Sequence, residues 1–162
     1  MAVIATTTSM LSSVLMTDSS QLSQDFNYVY ANAKEASAAD VKLGQVVLWN
    51  GTDAFRILKN ADFSNDTTLT ATAGAGFPDD KSRLAVVVGF DAVGSDYVKS
   101  VGTTAVKVAL LFRGQASLKK TGLVFDTGVA AARQVTAIKI LEGQLLDVKD
   151  VAAAATSTFY HV

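Results

Sequence analysis

Residues 105–149 read AVKVALLFRGQASLKKTGLVFDTGVAAARQVTAIKILEGQLLDVK. Alternation comes first. Val106, Val108, Leu110 and Phe112 share one face of an extended segment, and Lys107, Ala109, Leu111 and Arg113 share the other. A period of two marks a strand with two distinct sides. An Arg113-Gly114 corner follows, then a loop over 115–122 and the short apolar piece Leu123-Val124-Phe125. Asp126 or Thr127 is placed to cap a helix. Between 129 and 142 apolar residues fall at Ala131, Val135, Ile138 and Leu141, with Leu145 just beyond; steps of four, three, three and four make one helical stripe. Gly143 stands where a glycine ends a helix. Arg133, Gln134 and Lys139 face away from the stripe, toward solvent or a subunit contact. Leu145, Leu146 and Val148 then read as a short strand able to rejoin a sheet.

Upstream of this unit the chain reads as β-structure. Residues 84–90, LAVVVGF, form a short β-branched run, which fits a strand buried on both faces. Gly89 marks a bulge or a close backbone approach. Residues 44–49, GQVVLW, and 54–58, AFRIL, flank Asn50-Gly51. That dipeptide suits the positive-φ positions of a type I′ hairpin turn. Asn50-Gly51-Thr52 also matches a glycosylation acceptor, read here as accidental in a chain that is not secreted. Thr68, Thr70 and Thr72 alternate with Leu69 and Ala71 in a possible strand. Residues 74–80 form a loop around Pro78. Gly74 and Gly76 are followed by no Lys and no helix signal, so they do not make a phosphate loop. Asp79 and Asp80 read as solvated turn carboxylates, not as a cation site.

Residues 1–38 are rich in Ser, Thr, Ala, Asp and Asn and are expected to lie outside the compact domain. Phe26, Tyr28 and Tyr30 alternate near the end of this segment. Two readings stay open: a flexible terminus, or an arm that adds a strand to a partner's sheet edge. The domain is expected over 39–150, with a weakly patterned tail over 151–162. The opening MAVIATTTSMLSSVLMTDSS has no Lys or Arg, unlike a secretory signal. No run approaches the roughly 20 apolar residues of a membrane helix. A soluble chain without a membrane anchor is expected.

Composition excludes several chemistries. The chain of 162 residues is 49% hydrophobic and 18% charged, so it can fill a core. It has no Cys, which removes disulfides, thiolate zinc sites and thiol nucleophiles. The one His is His161, beside the C-terminus and poorly placed for a general base. The common nucleophile–base pairs cannot be assembled. With a net charge of -1 and no basic patch, a nucleic-acid partner is not expected. No cofactor and no metal site is indicated, and the chain reads as a structural or binding module, not an enzyme. Arg113, ahead of Gly114, fits a structural anchor or a subunit contact. Trp49, beside a turn, fits a hairpin core better than a sugar-stacking platform.

The stretch 109–128, ALLFRGQASLKKTGLVFDTG, followed by the helix through Leu141 and the strand at 145–148, resembles the lambda-type head decoration proteins of tailed bacteriophages. In that family a strand ends in Arg-Gly, often followed by Pro-Ala. A loop, Leu-Val-Trp or a variant, an Ala-rich helix and a last short strand follow. Here Arg113 and Gly114 match, Gln115 stands where Pro is often found, and Phe125 stands where Trp is often found. Gly44 and the strands over 43–58 resemble the family's paired early strands, and Val86-Val87-Val88-Gly89 its central strand. The resemblance covers about residues 38–149.

It implies a mainly β domain with one α-helix, a small β-barrel or β-tulip-like unit with an extended N-terminal arm. It implies a homotrimer on the outer surface of the expanded capsid, cementing the major capsid protein. Phe26, Tyr28 and Tyr30 would belong to the capsid-binding arm, and Arg113, Gly114 and Trp49 to structural or subunit contacts. The alternative is a phage tail, fibre or adhesin module that binds host glycans.

Overall fold

The computed structural model describes residues 26–33, 39–70, 83–90, 98–101, 107–114, 116–144 and 146–150. Eleven strands and one α-helix occur in these residues: β1 (Phe26–Ala33), β2 (Ala39–Lys42), β3 (Val46–Trp49), β4 (Ala54–Ile57), β5 (Phe63–Asn65), β6 (Thr68–Leu69), β7 (Arg83–Phe90), β8 (Val98–Val101), β9 (Lys107–Gly114), β10 (Ala116–Lys119), α1 (Ala131–Gly143) and β11 (Leu146–Lys149). The class is the expected one, mainly β with one helix. Five strands close a barrel in the order β1-β4-β3-β7-β9, and three two-stranded sheets surround it, β2-β8, β5-β6 and β10-β11. Every barrel contact is antiparallel except β1–β4, which is parallel through Asn32↔Ala54 and Ala33↔Phe55.

Alternation along the strands builds two cores, one on each side of the barrel wall. Ala31, Val47, Trp49, Phe55, Ile57, Ala85, Val87, Val108 and Leu110 point inward, joined by Val41 of β2. Val46, Leu48, Leu84, Val86, Val88 and Leu111 point outward and are covered by Ala116, Leu118, Ala137, Leu141 and Leu146. Helix residues cannot lie inside the barrel, so the second set must be the outer layer. This explains why Leu84 through Val88 are all buried, as their unbroken apolar run predicts. Each fully buried Leu or Phe contributes about 1.5–3 kcal/mol by leaving water. Gly89 sits at a slip of the β7–β9 register between Val87 and Gly89, a bulge. A methyl group there would meet Ala109 only at ordinary contact distance, so the glycine serves the bulge and not a close approach.

Several expectations are corrected. Residues 26–33, expected in the arm outside the domain, form a barrel strand instead. The alternation of Phe26, Tyr28 and Tyr30 does mark a strand, but the sheet it joins is its own chain's. The two-residue turn at Asn50-Gly51 is replaced by a longer loop. Trp49 pairs with Phe55, which leaves 50–54 between the paired residues. Asn50 organises it: its Oδ1 accepts the backbone N–H groups of Thr52, Asp53 and Ala54 at 2.9, 3.1 and 3.0 Å. One side chain thus satisfies donors that a tight turn would have paired across the strands. Gly51 has φ 80, so the glycine is still required by the backbone.

The helix starts later and is rotated from the expected stripe. Its N-cap is Ala130, which makes no side-chain cap bond, and Gly143 is its last residue, not the one beyond. Ala137 and Leu141 are buried and Ile140 packs beside them, whereas Val135 is 50% exposed. A small Ala at 137 allows close approach to the barrel, and that decides which side faces inward. Within 115–122, expected as loop, Ala116–Lys119 is a strand, paired in parallel with Leu146–Lys149. The last strand therefore rejoins β10 and not the barrel. Leu145, the loop at 74–80, the segment 1–25 and the tail 151–162 lie outside the described residues. No described helix is long and apolar enough to cross a membrane.

Candidate contact surface

The structure brings three of the proposed contact elements to one end of the barrel. β1 runs antiparallel to β9 in a register that sets Phe26 opposite Gly114 and Asn27 opposite Arg113, with a slip between Asn27 and Tyr28. Two stretches more than 80 residues apart in sequence are therefore neighbours. Arg113 is exposed at this end. Phe112, the residue before it, turns inward, and its ring centroid lies 4.5 Å from that of Trp49 at 44°. Trp49 is 7% exposed, and no described residue accepts a hydrogen bond from its Nε1. It closes the barrel interior and offers no stacking face to a sugar.

Along β1, Val29, Ala31 and Ala33 pack into the barrel while Tyr30, one residue out of phase, is 63% exposed. Tyr30 sits opposite Ala109 of β9, and Lys107, exposed, sits opposite Asn32. An exposed aromatic and a cation on neighbouring strands can contact a protein partner. The side that carries α1 is separate. Among the described residues the helix layer covers the outer faces of β3, β7 and part of β9, while Tyr30 and Lys107 stay exposed.

The piece 123–125 has a definite role. Val124 lies in parallel beside Gln45. Val124 N donates to Gly44 O at 2.9 Å, and Val46 N donates to Val124 O at 2.9 Å. Gln45, 3% exposed, adds its Nε2 to the same carbonyl at 3.2 Å. Gly44 is buried with φ 79, and its N–H donates to Val87 O at 2.8 Å. Only glycine fits such a backbone without strain. The early strand pair and the second half of the chain are joined at this seam.

A second polar cluster was missed by sequence reasoning. Arg133, expected at a solvent or subunit contact, bonds within the chain: its Nη1 donates to Asn60 O at 2.7 Å, and its Nε lies 3.1 Å from Asp66 Oδ1. Its guanidinium also stands 5.9 Å from the Phe63 ring centroid. Asn60 Oδ1 accepts Ala130 N–H at 3.2 Å, supplying from elsewhere the cap that the helix lacks. Lys59 Nζ reaches Asp126 Oδ1 at 3.2 Å. Beneath this clasp, Asp62 is 3% exposed and takes Arg56 Nη1 at 2.8 Å and Lys59 N at 2.7 Å. The Arg133, Asn60–Ala130 and Lys59–Asp126 contacts cross more than 60 residues of sequence, so no local spacing could announce them; only the Asp62 contacts with Arg56 and Lys59 are local. Gln134 also bonds within the chain, to Val129 O at 2.9 Å, and Lys139 is exposed.

Chemically the described surface offers donors, acceptors and aromatic area. Among the described residues no group of three or more His, Cys, Asp or Glu side chains converges to hold a metal ion. The comparisons add no relative: no protein-family model, no curated protein and no solved structure matches this chain.

Proposed function

We propose that the protein is a capsid decoration protein, which binds the outside of an expanded bacteriophage head as a homotrimer and stabilises the lattice of the major capsid protein. The observation that carries this reading is the ordered series in 109–148: strand, Arg113-Gly114, Leu123-Val124-Phe125, helix, short strand. The small barrel with one helix is the class of fold that the resemblance implies. The acidic balance, with a net charge of -1, suits a shell exterior better than a DNA-facing surface. A ligand that binds only the expanded lattice stabilises it by mass action. Three linked subunits add avidity, so each contact can be modest.

In this reading the arm is shortened to the residues before β1, because Phe26–Ala33 is committed to the barrel. Tyr30 remains available on the outer face and is assigned to the capsid contact. The test is co-sedimentation of the protein with expanded, undecorated shells and with unexpanded procapsids. Binding to expanded shells alone, saturating at the three-fold positions, is expected. Absence of binding to both shells overturns the proposal and moves the reading to the glycan-binding alternative, which a glycan array then checks.

A further inference from the structure

Among the described residues β11 is an edge strand. It pairs with β10 on one side only, and among the described residues no backbone hydrogen bond reaches its other side. Its inner residue Leu146 is fully buried, while Asp147 and Lys149 point outward, with side chains 57% and 53% exposed. The matching residues of β10, Ser117 and Lys119, are half-buried, so β11 is the more exposed member of the pair. A two-stranded sheet is marginal alone, and an unpaired edge is a template for another strand.

The order of charges says which strand fits. Asp147, Val148 and Lys149 are self-complementary when two copies run antiparallel about Val148. Asp147 of one copy then lies opposite Lys149 of the other, and the reverse pair follows by symmetry. In a two-fold contact, residue i meets j and j meets i. Opposite charges directly across an antiparallel pair stabilise it, and like charges destabilise it. Within one copy the two side chains already attract, with Lys149 Nζ 2.9 Å from Asp147 Oδ2. Pairing exchanges this contact for two equivalent ones between strands.

We infer that the free edge of β11 is a self-association surface, on which a second copy of this chain docks its own β11 in antiparallel register about Val148. The inference does not rest on the capsid reading, since the protein alone suffices to test it. On a shell it would join neighbouring assemblies, whatever holds the subunits within each.

The experiment measures mass against concentration by light scattering and sedimentation for wild type, Asp147→Lys and Lys149→Glu. Thermal melts check that each variant is folded, and both positions are exposed enough to accept the changes. Wild type is expected to show a concentration-dependent doubling of its smallest species. Each variant alone opposes like charges and is expected to lose that step. An equal mixture of the two opposes Lys with Glu and Lys with Asp, and is expected to regain it. β2 repeats the order Asp40, Val41, Lys42, with Asp40 and Lys42 exposed. The mixture therefore also separates the two pairings, because a β11–β2 contact would not be rescued. A wild type that never doubles, variants that associate as wild type does, or a mixture that fails to associate each overturns the inference.

Discussion

Neighbouring residues on β1 should respond in opposite ways to substitution. Ala31 is fully buried in the barrel and Tyr30 is 63% exposed. Ala31→Asp places a carboxylate in the cluster that contains Val41, Val108 and Leu110. The cluster is apolar apart from the Trp49 indole N–H and holds no cation, so the new carboxylate is desolvated without a charged partner there. Burying an unpaired polar or charged group costs several kcal/mol, and about 4 kcal/mol lies at the edge of ordinary mutational effects. With a urea slope of roughly 2 kcal/mol/M, the midpoint should fall by about 2 M. At roughly 2–4 °C per kcal/mol for a chain of this size, the melting temperature should fall by roughly 8–16 °C. Tyr30→Ala should stay within about 0.5 kcal/mol of wild type. Trp49, the only tryptophan, reports both transitions by fluorescence from inside the barrel. If residues 26–33 were a free arm, Ala31→Asp would be silent. An unchanged urea midpoint for Ala31→Asp therefore refutes the placement of β1 in the barrel.

Other consequences are as direct. Asp62→Ala removes the carboxylate that Arg56 and Lys59 N share, and should destabilise the fold by about 3 kcal/mol in urea titration. Arg133→Ala breaks the clasp on Asn60 and should cost about 1–2 kcal/mol, whereas Lys139→Ala, on the exposed side of α1, should stay within about 0.5 kcal/mol. Equal losses for the two helix variants would contradict the geometry. Asn50→Ala withdraws one acceptor from three backbone donors and should cost about 1 kcal/mol by thermal melt, as loss of a helix cap does. Deleting residues 1–35 removes β1 and should abolish the cooperative transition; a chain that still melts cooperatively at the wild-type temperature without them would show that β1 is dispensable.

Patterns that depend on near neighbours in sequence were legible. The face assignment of β9 follows from simple alternation, and Val108, Leu110 and Phe112 do share the barrel interior. The double burial of β7 follows from its unbroken apolar run. The helix was legible as a helix, but its orientation was not. Counting apolar residues favoured Val135 and Ile138, yet close packing favoured the small Ala137 with Ile140 and Leu141. A stripe shows that a helix is amphipathic; the shape of the surface beneath it settles the rotation.

The candidate surface was legible only in part. Phe26, Tyr28 and Tyr30 stood out as an alternating aromatic set, but low hydrophobic density before them made the whole segment read as an arm. The density that buries β1 comes from β9 and β4, which are distant in sequence. The Asn50-Gly51 signal located a reversal correctly and mistook its length, because the side chain of Asn50 competes with the strands for the same donors.

The amino-acid sequence by itself determined the period and faces of the clearest strands, the glycine that the reversal after Trp49 needs, and the absence of thiol chemistry. Each of these depends on residues within a few positions of one another. Only the tertiary structure decided that β1 closes the barrel against β9, where Arg133 finds its partners, and how Gln45 is joined to Val124. Those outcomes depend on pairings across 60 residues or more, as between Phe26 and Gly114, Arg133 and Asn60, or Gln45 and Val124. Contacts at that separation are selected by the competition of whole surfaces for burial, which no local pattern records.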